Sequence, residues 1–178
     1  MALTLISTHT ASASATLDIT SGIDSTYDSY EFHFVNMHPA TDAAEFTFQV
    51  NAAGQTGFNE VITSTKIQSY HNEGDSDTAL SYATSYDQAQ GTAYQTINTN
   101  GGFDNDQACS GVLTLYDPSS TTYVKHFTSN MNGAHSANYT IQGLVAGYIN
   151  VTSAIDEISF AMSSGNIDAG TIKMFGVS

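Results

Sequence analysis

Tyr30-Glu31-Phe32-His33-Phe34-Val35 and Glu45-Phe46-Thr47-Phe48-Gln49-Val50 decide how this chain folds. In each run an apolar side chain alternates with a polar one, so Tyr30, Phe32 and Phe34 share one face, as do Phe46, Phe48 and Val50. A helix would scatter these rings around its circumference; an extended strand gathers them on one side. The connector Met37-His38-Pro39-Ala40-Thr41-Asp42 carries turn chemistry, with Pro fixing φ and Asp able to bond its own backbone. The stretch therefore reads as strand, turn, strand.

The same period returns along the chain. Val112-Leu113-Thr114-Leu115-Tyr116, Tyr139-Thr140-Ile141, Tyr148-Ile149-Asn150-Val151, residues 155–162 and Thr171-Ile172-Lys173-Met174-Phe175 all alternate. Residues 13–19 and 60–67 do so more weakly. Turn residues separate these runs at 51–57, 116–120 and 163–170. A total of about nine to eleven strands exceeds a small barrel and predicts an all-β, two-sheet antiparallel jelly-roll-like sandwich. No linker divides the chain, so residues 1–178 are expected to form a single jelly-roll-like β-sandwich domain.

Residues 71–106 differ. They are rich in Ser, Thr, Gln, Asn and Asp, and are expected to be an irregular loop-rich insertion with two irregular strands; 77–88 could make a short helix. Tyr70, Tyr82, Tyr86 and Tyr94 mark this region as interface or ligand-contact candidates, since tyrosine offers a large contact area with a hydroxyl tip. Core filling is the alternative role for the same rings.

Charge excludes several classes of function. Only 11% of residues are charged, the net charge is −14, and Lys66, Lys125 and Lys173 are the only cations. Nucleic-acid binding needs clustered cations to displace counterions, and an anionic membrane would repel this chain. No stretch approaches the roughly 20 apolar residues of a membrane helix. Met1-Ala2-Leu3-Thr4-Leu5-Ile6 lacks the basic start and apolar run of a signal peptide, so synthesis in a cytosol is expected. Cys109 has no partner for an internal disulfide and reads as a small residue in or beside a strand.

Catalytic and metal chemistry find little footing. The six histidines, at 9, 33, 38, 71, 126 and 135, show no paired ligand spacing of a zinc site. Asp75-Ser76-Asp77 and Asp104-Asn105-Asp106 could offer oxygen to calcium, through Asp75, Asp77, Asp104 and Asp106. Neither continues into the Gly and distal Glu of an EF-hand loop, so both read as solvated turns and no metal or cofactor is expected. The nucleophile elbow and phosphate loop are absent, and tryptophan, the common sugar-stacking platform, is missing. The expectation is a protein that binds and does not catalyse.

Two patches carry a resemblance. The stretch 154–177, with Ser163-Ser164-Gly165-Asn166-Ile167-Asp168-Ala169-Gly170-Thr171-Ile172-Lys173-Met174-Phe175-Gly176-Val177 at its end, resembles the closing hairpin of jelly-roll-like virion structural proteins of marine tailed phages and cyanophages, which end in SSGNI-x-x-GTI-K-LYG-I. Here Met174-Phe175 replaces the usual Leu-Tyr, a hydrophobic exchange. Tyr30 to Phe46 is similar to the strand–turn–strand Y-x-F-x-F-x-N-I-x-P-x-T-D-A of the same family. The resemblance implies a homo-oligomer, often a trimer, displayed on the particle surface after synthesis in the bacterial host cytoplasm. It implies contacts with the major capsid protein or another virion protein, and no catalytic residues. The implied role is a capsid decoration (cement) or short knob protein. The receptor-binding head of a tail or head fibre, gripping a host surface glycan, and a stand-alone carbohydrate-binding module are the other readings.

Overall fold

The computed structural model describes residues 2–178. The chain is all-β, with thirteen strands: β1 (Leu3–Ser14), β2 (Thr16–Ile19), β3 (Ser29–Pro39), β4 (Ala44–Ala52), β5 (Ile62–Asn72), β6 (Thr78–Tyr82), β7 (Ala89–Gly91), β8 (Gln95–Gly101), β9 (Cys109–Tyr116), β10 (Lys125–His135), β11 (Tyr139–Ile149), β12 (Ile155–Met162) and β13 (Ile167–Val177). Every strand pairing is antiparallel. The order β1-β13-β3-β9-β10-β8-β4-β12-β2 makes a nearly closed, barrel-like sheet, and β11, β5, β6 and β7 extend from β10.

The alternating runs fill the interior as their period requires. Tyr30, Phe32, Phe34, Phe46, Phe48 and Val50 are all buried. Phe160 of β12 sits among Phe32, Phe34 and Phe46 at ring-centroid distances of 5.6, 5.2 and 6.0 Å. Such edge, tilted and stacked ring contacts add to the free energy of burying large apolar surfaces. A second aromatic contact, Phe48 to Phe127 at 5.0 Å, links β4 to β10.

β4 is more deeply buried than a half-exposed strand. Its polar face, Thr47, Gln49 and Asn51, is also covered. Gln49 Nε2 donates to the carbonyls of Glu60, Thr92 and Ala93, and Asn51 Nδ2 donates to Glu157 Oε2. Loop carbonyls at 60, 92 and 93 and the β12 carboxylate of Glu157 supply the partners that let these amides leave water.

Two glycines mark tight approaches. Gly170 has φ 131° and faces a bulge in β3, where a Cβ would lie 2.8 Å from the carbonyl oxygen of Asn36. Gly147 stands opposite Phe127, whose ring lies where a Cβ would go, 2.8 Å from Cζ. The first needs glycine for conformation and space, the second for space alone.

Residues 71–106 hold more regular structure than their composition suggests. β6, β7 and β8 lie here, and the short helix considered over 77–88 is replaced by β6 followed by a single 3-10 turn at Thr84–Tyr86. β8 is a central strand, yet it reads Gln95-Thr96-Ile97-Asn98-Thr99-Asn100-Gly101. Gln95 takes a 2.6 Å hydrogen bond from Ser64 and gives its own to the carbonyls of Tyr86 and Thr96. Thr96 donates to Glu45 at 2.7 Å. Polar side chains with such partners pass through a core that hydropathy cannot see. β1 escapes the same reading for the opposite reason: as an edge strand it buries only Ala11 and shows no alternation.

Candidate functional site

β5, β9, β10 and β11 set two surfaces by simple alternation. Their register pairs Ile67 with Leu144, Leu144 with Asn130 and Asn130 with Val112, and these four point outward. On the inward face of β5 lie Ile62, Ser64, Lys66, Gln68 and Tyr70.

The outward face spans β9, β10, β11, β5 and β6. Around Ile67 and Leu144 it presents Thr63, Thr65, Ser69, Ser110, Val112, Thr114, Thr128, Asn130, Asn132, Thr140, Gln142, Ala146 and Tyr148, with Leu80 and Tyr82 on β6. No Asp, Glu, Lys or Arg stands among these outward positions, in a chain with 17 acidic residues. Leu80 is 77% exposed and Leu144 46%. A shallow groove crosses the face between Ile67, Leu144, Val112 and Thr128. β6 pairs only with β5, so its other edge is free.

The inward faces of β5, β10 and β11 end in a cleft at the mouth of the barrel. Gln68, Tyr70, Asp77, Asn100, His135 and Tyr139 line it. Tyr70 and Tyr139 meet edge to face at 5.6 Å, and His135 lies 5.5 Å from Tyr139. Tyr139 Oη donates to Asp77 at 3.0 Å, and this raises the tyrosine's pKa. Burial lowers the pKa of His135, with a smaller opposing pull from Asp42, and its Nδ1 accepts the Ala137 amide at 3.0 Å. Gln68 Oε1 is buried without a hydrogen-bond partner.

The four candidate tyrosines are not brought together. Tyr70 lines the cleft, and Tyr82 lies on the outward face with its hydroxyl donating to Asp87. Tyr86 carries the Lys66 ammonium 4.4 Å above its ring centre. Tyr94 reaches Ser159 Oγ at 3.0 Å. Tyr139, which the sequence marks only as a strand residue, completes the pair with Tyr70. Its signal is positional: it opens β11 just after the turn that returns from β10.

The aspartates stay apart as well. Asp75 pairs with His71 at 3.1 Å across an exposed turn, and Asn72 Oδ1 accepts the amides of Ser76 and Asp77. Asp104 and Asp106 lie exposed in the loop before β9, where the Asp104 carbonyl accepts the Gln107 amide. No group of three His, Cys, Asp or Glu able to hold an ion occurs among the described residues. Cys109 is buried at the start of β9, and burial pushes its thiol pKa up to about 12, far from a reactive thiolate.

Two of the three lysines are interior. Lys125 Nζ donates to the carbonyls of Tyr123, Val151, Thr152 and Ser153 at 2.6–3.2 Å. Lys66 Nζ has no hydrogen-bond acceptor, and burial pushes its pKa down to about 8 against a weaker opposing pull from Glu45. Among the described residues no helix is long and apolar enough to cross a membrane. No family model, curated protein or solved structure matches the chain significantly.

Proposed function

We propose that this chain is a bacteriophage virion structural protein displayed on the particle surface, a capsid decoration or short knob protein that acts through protein–protein contacts. The observation that carries the reading is the uncharged outward face of β5, β6, β9, β10 and β11. Each copy carries a net charge of −14, so copies repel through any surface that holds acids. They meet at least cost where no acid must be desolvated. Ile67, Leu80 and Leu144 offer apolar area for such a contact, and the Thr, Asn and Gln around them offer neutral hydrogen bonds.

In this reading the sheet is the wall of a jelly-roll-like sandwich, a trimer forms through the uncharged face, and the free β6 edge is shielded by a sibling subunit. The remaining acidic surface keeps the assembly soluble and dispersed. The phage-like patches at 30–46 and 163–177 supply the biological setting, with the major capsid protein or another virion protein as the anchor. The cleft at the barrel mouth favours a second reading, the receptor-binding head of a tail or head fibre.

Quantitative mass spectrometry of purified particles from a lysate carrying this chain is the test. Hundreds of copies per particle are expected for decoration, and a few dozen for attachment at tail or vertex. Absence from particles would refute both.

A further inference from the structure

We infer that the cleft at the mouth of the barrel is a binding site for a neutral saccharide. The inference goes beyond assembly, and the cleft lies on the inward side of the strands whose outward side carries the uncharged face.

The cleft measures about 300 Å³, room for one or two sugar rings. Tyr70 and Tyr139, packed edge to face at 5.6 Å, line it with aromatic surface suited to the C–H face of a pyranose. Beside it stand two amides, Gln68 and Asn100, a carboxylate, Asp77, and an imidazole, His135. Amides and carboxylates pair with the vicinal hydroxyls of sugars, since each group both accepts and gives, or accepts twice. Gln68 Oε1 is a buried acceptor with no donor in the protein. What reaches the cleft is the Gln68 residue itself, which with Asn100 lines it with amides able to meet a sugar hydroxyl.

Charge selects the class. Asp77 faces the cleft, His135 uses its Nδ1 as an acceptor for the Ala137 amide, and Lys66, two residues from Gln68 on β5, does not line it. An acidic sugar would meet a carboxylate with no cation to offset it, inside a protein of net charge −14. A neutral sugar meets only hydrogen-bonding groups and rings.

Saturation-transfer NMR on the purified full chain tests this. The probes are neutral saccharides (glucose, galactose, mannose, N-acetylglucosamine and their short oligomers) and two acidic ones, glucuronic and sialic acid. Transfer to at least one neutral saccharide is expected, with affinity falling roughly tenfold or more in Tyr70→Ala and in Gln68→Leu. Gln68→Leu removes an amide from the lining of the cleft while keeping an apolar stem, so it remains informative if Tyr70→Ala does not fold. Circular dichroism and the unfolding midpoint establish that each variant is native. No transfer from any neutral saccharide, binding of acidic sugars alone, or unchanged binding in native Gln68→Leu would overturn the inference. The subunit mass of the same samples reports on assembly separately, so neither failure can pass for the other.

Discussion

Lys125 and Lys66 are both almost wholly buried, at 0% and 1% exposure, yet the protein treats them differently. Lys125 begins β10, at the end far from the cleft, and four backbone carbonyls close around its ammonium. It ties the turn after β11 to the entry of β10. Lys66 lies in the middle of the inward face of β5, where its ammonium rests on the Tyr86 ring and has no acceptor. Burial lowers the pKa of both, but only Lys125 has acceptors in place of its lost water; Lys66 has a ring alone. A buried ammonium is stabilising only where acceptors replace its lost water.

Lys125→Met breaks the comparison most severely. It leaves four carbonyls without their donor, and a loss of about 2–4 kcal/mol is expected by urea unfolding at pH 7. Wild-type stability in this variant would show that the cage contributes nothing. Lys66→Met should act in the opposite direction, stabilising the fold by about 1–3 kcal/mol at pH 7, because it removes an unpaired buried charge at similar volume. The pH dependence sharpens this. Lys66 titrates near 8 when folded and near 10.5 when unfolded. Between these values the unfolded chain binds a proton that the folded chain has released, so the stability of the wild type at this site rises with pH. The advantage of Lys66→Met should therefore shrink from pH 8 to 10.5. A gap that stays constant would mean that Lys66 is not desolvated.

Smaller effects follow. Tyr86→Leu removes the ring beneath the Lys66 ammonium and should cost about 0.5–2 kcal/mol in wild type. In the Lys66→Met background the cation contribution is gone, and a double-mutant cycle isolates it. Equal losses in both backgrounds would deny the ring any role toward the cation. Cys109 should react with a thiol reagent only upon unfolding, since its thiol is buried and its pKa is raised.

Much of the fold is legible in the sequence where side chains alternate in polarity. β3, β4, β9, β12 and β13 follow from Phe32, Phe46, Leu113, Phe160 and Ile172, whose burial matches their period. β8 is hidden because Gln95, Thr96 and Asn98 are polar and buried together; the partners of Gln95 and Thr96 come from β4, β5 and the turn at 84–86. The cleft is hidden for a related reason. Tyr70 stands out in the polar middle of the chain, but Tyr139, Asn100 and His135 join it only through the β5–β11–β10 register. Lysine burial leaves no mark either: scarcity shows in the composition, whereas the carbonyl cage around Lys125 is made by residues 123 and 151–153.

Sedimentation equilibrium of the wild type beside Leu144→Asp tests the central claim, that copies associate through the uncharged face. The account predicts a wild-type particle of three 18.9 kDa chains at micromolar concentration. It also predicts a monomeric Leu144→Asp with unchanged circular dichroism, because the new carboxylate falls in the middle of the contact. A monomeric wild type, or a Leu144→Asp protein that assembles as the wild type does, would contradict it.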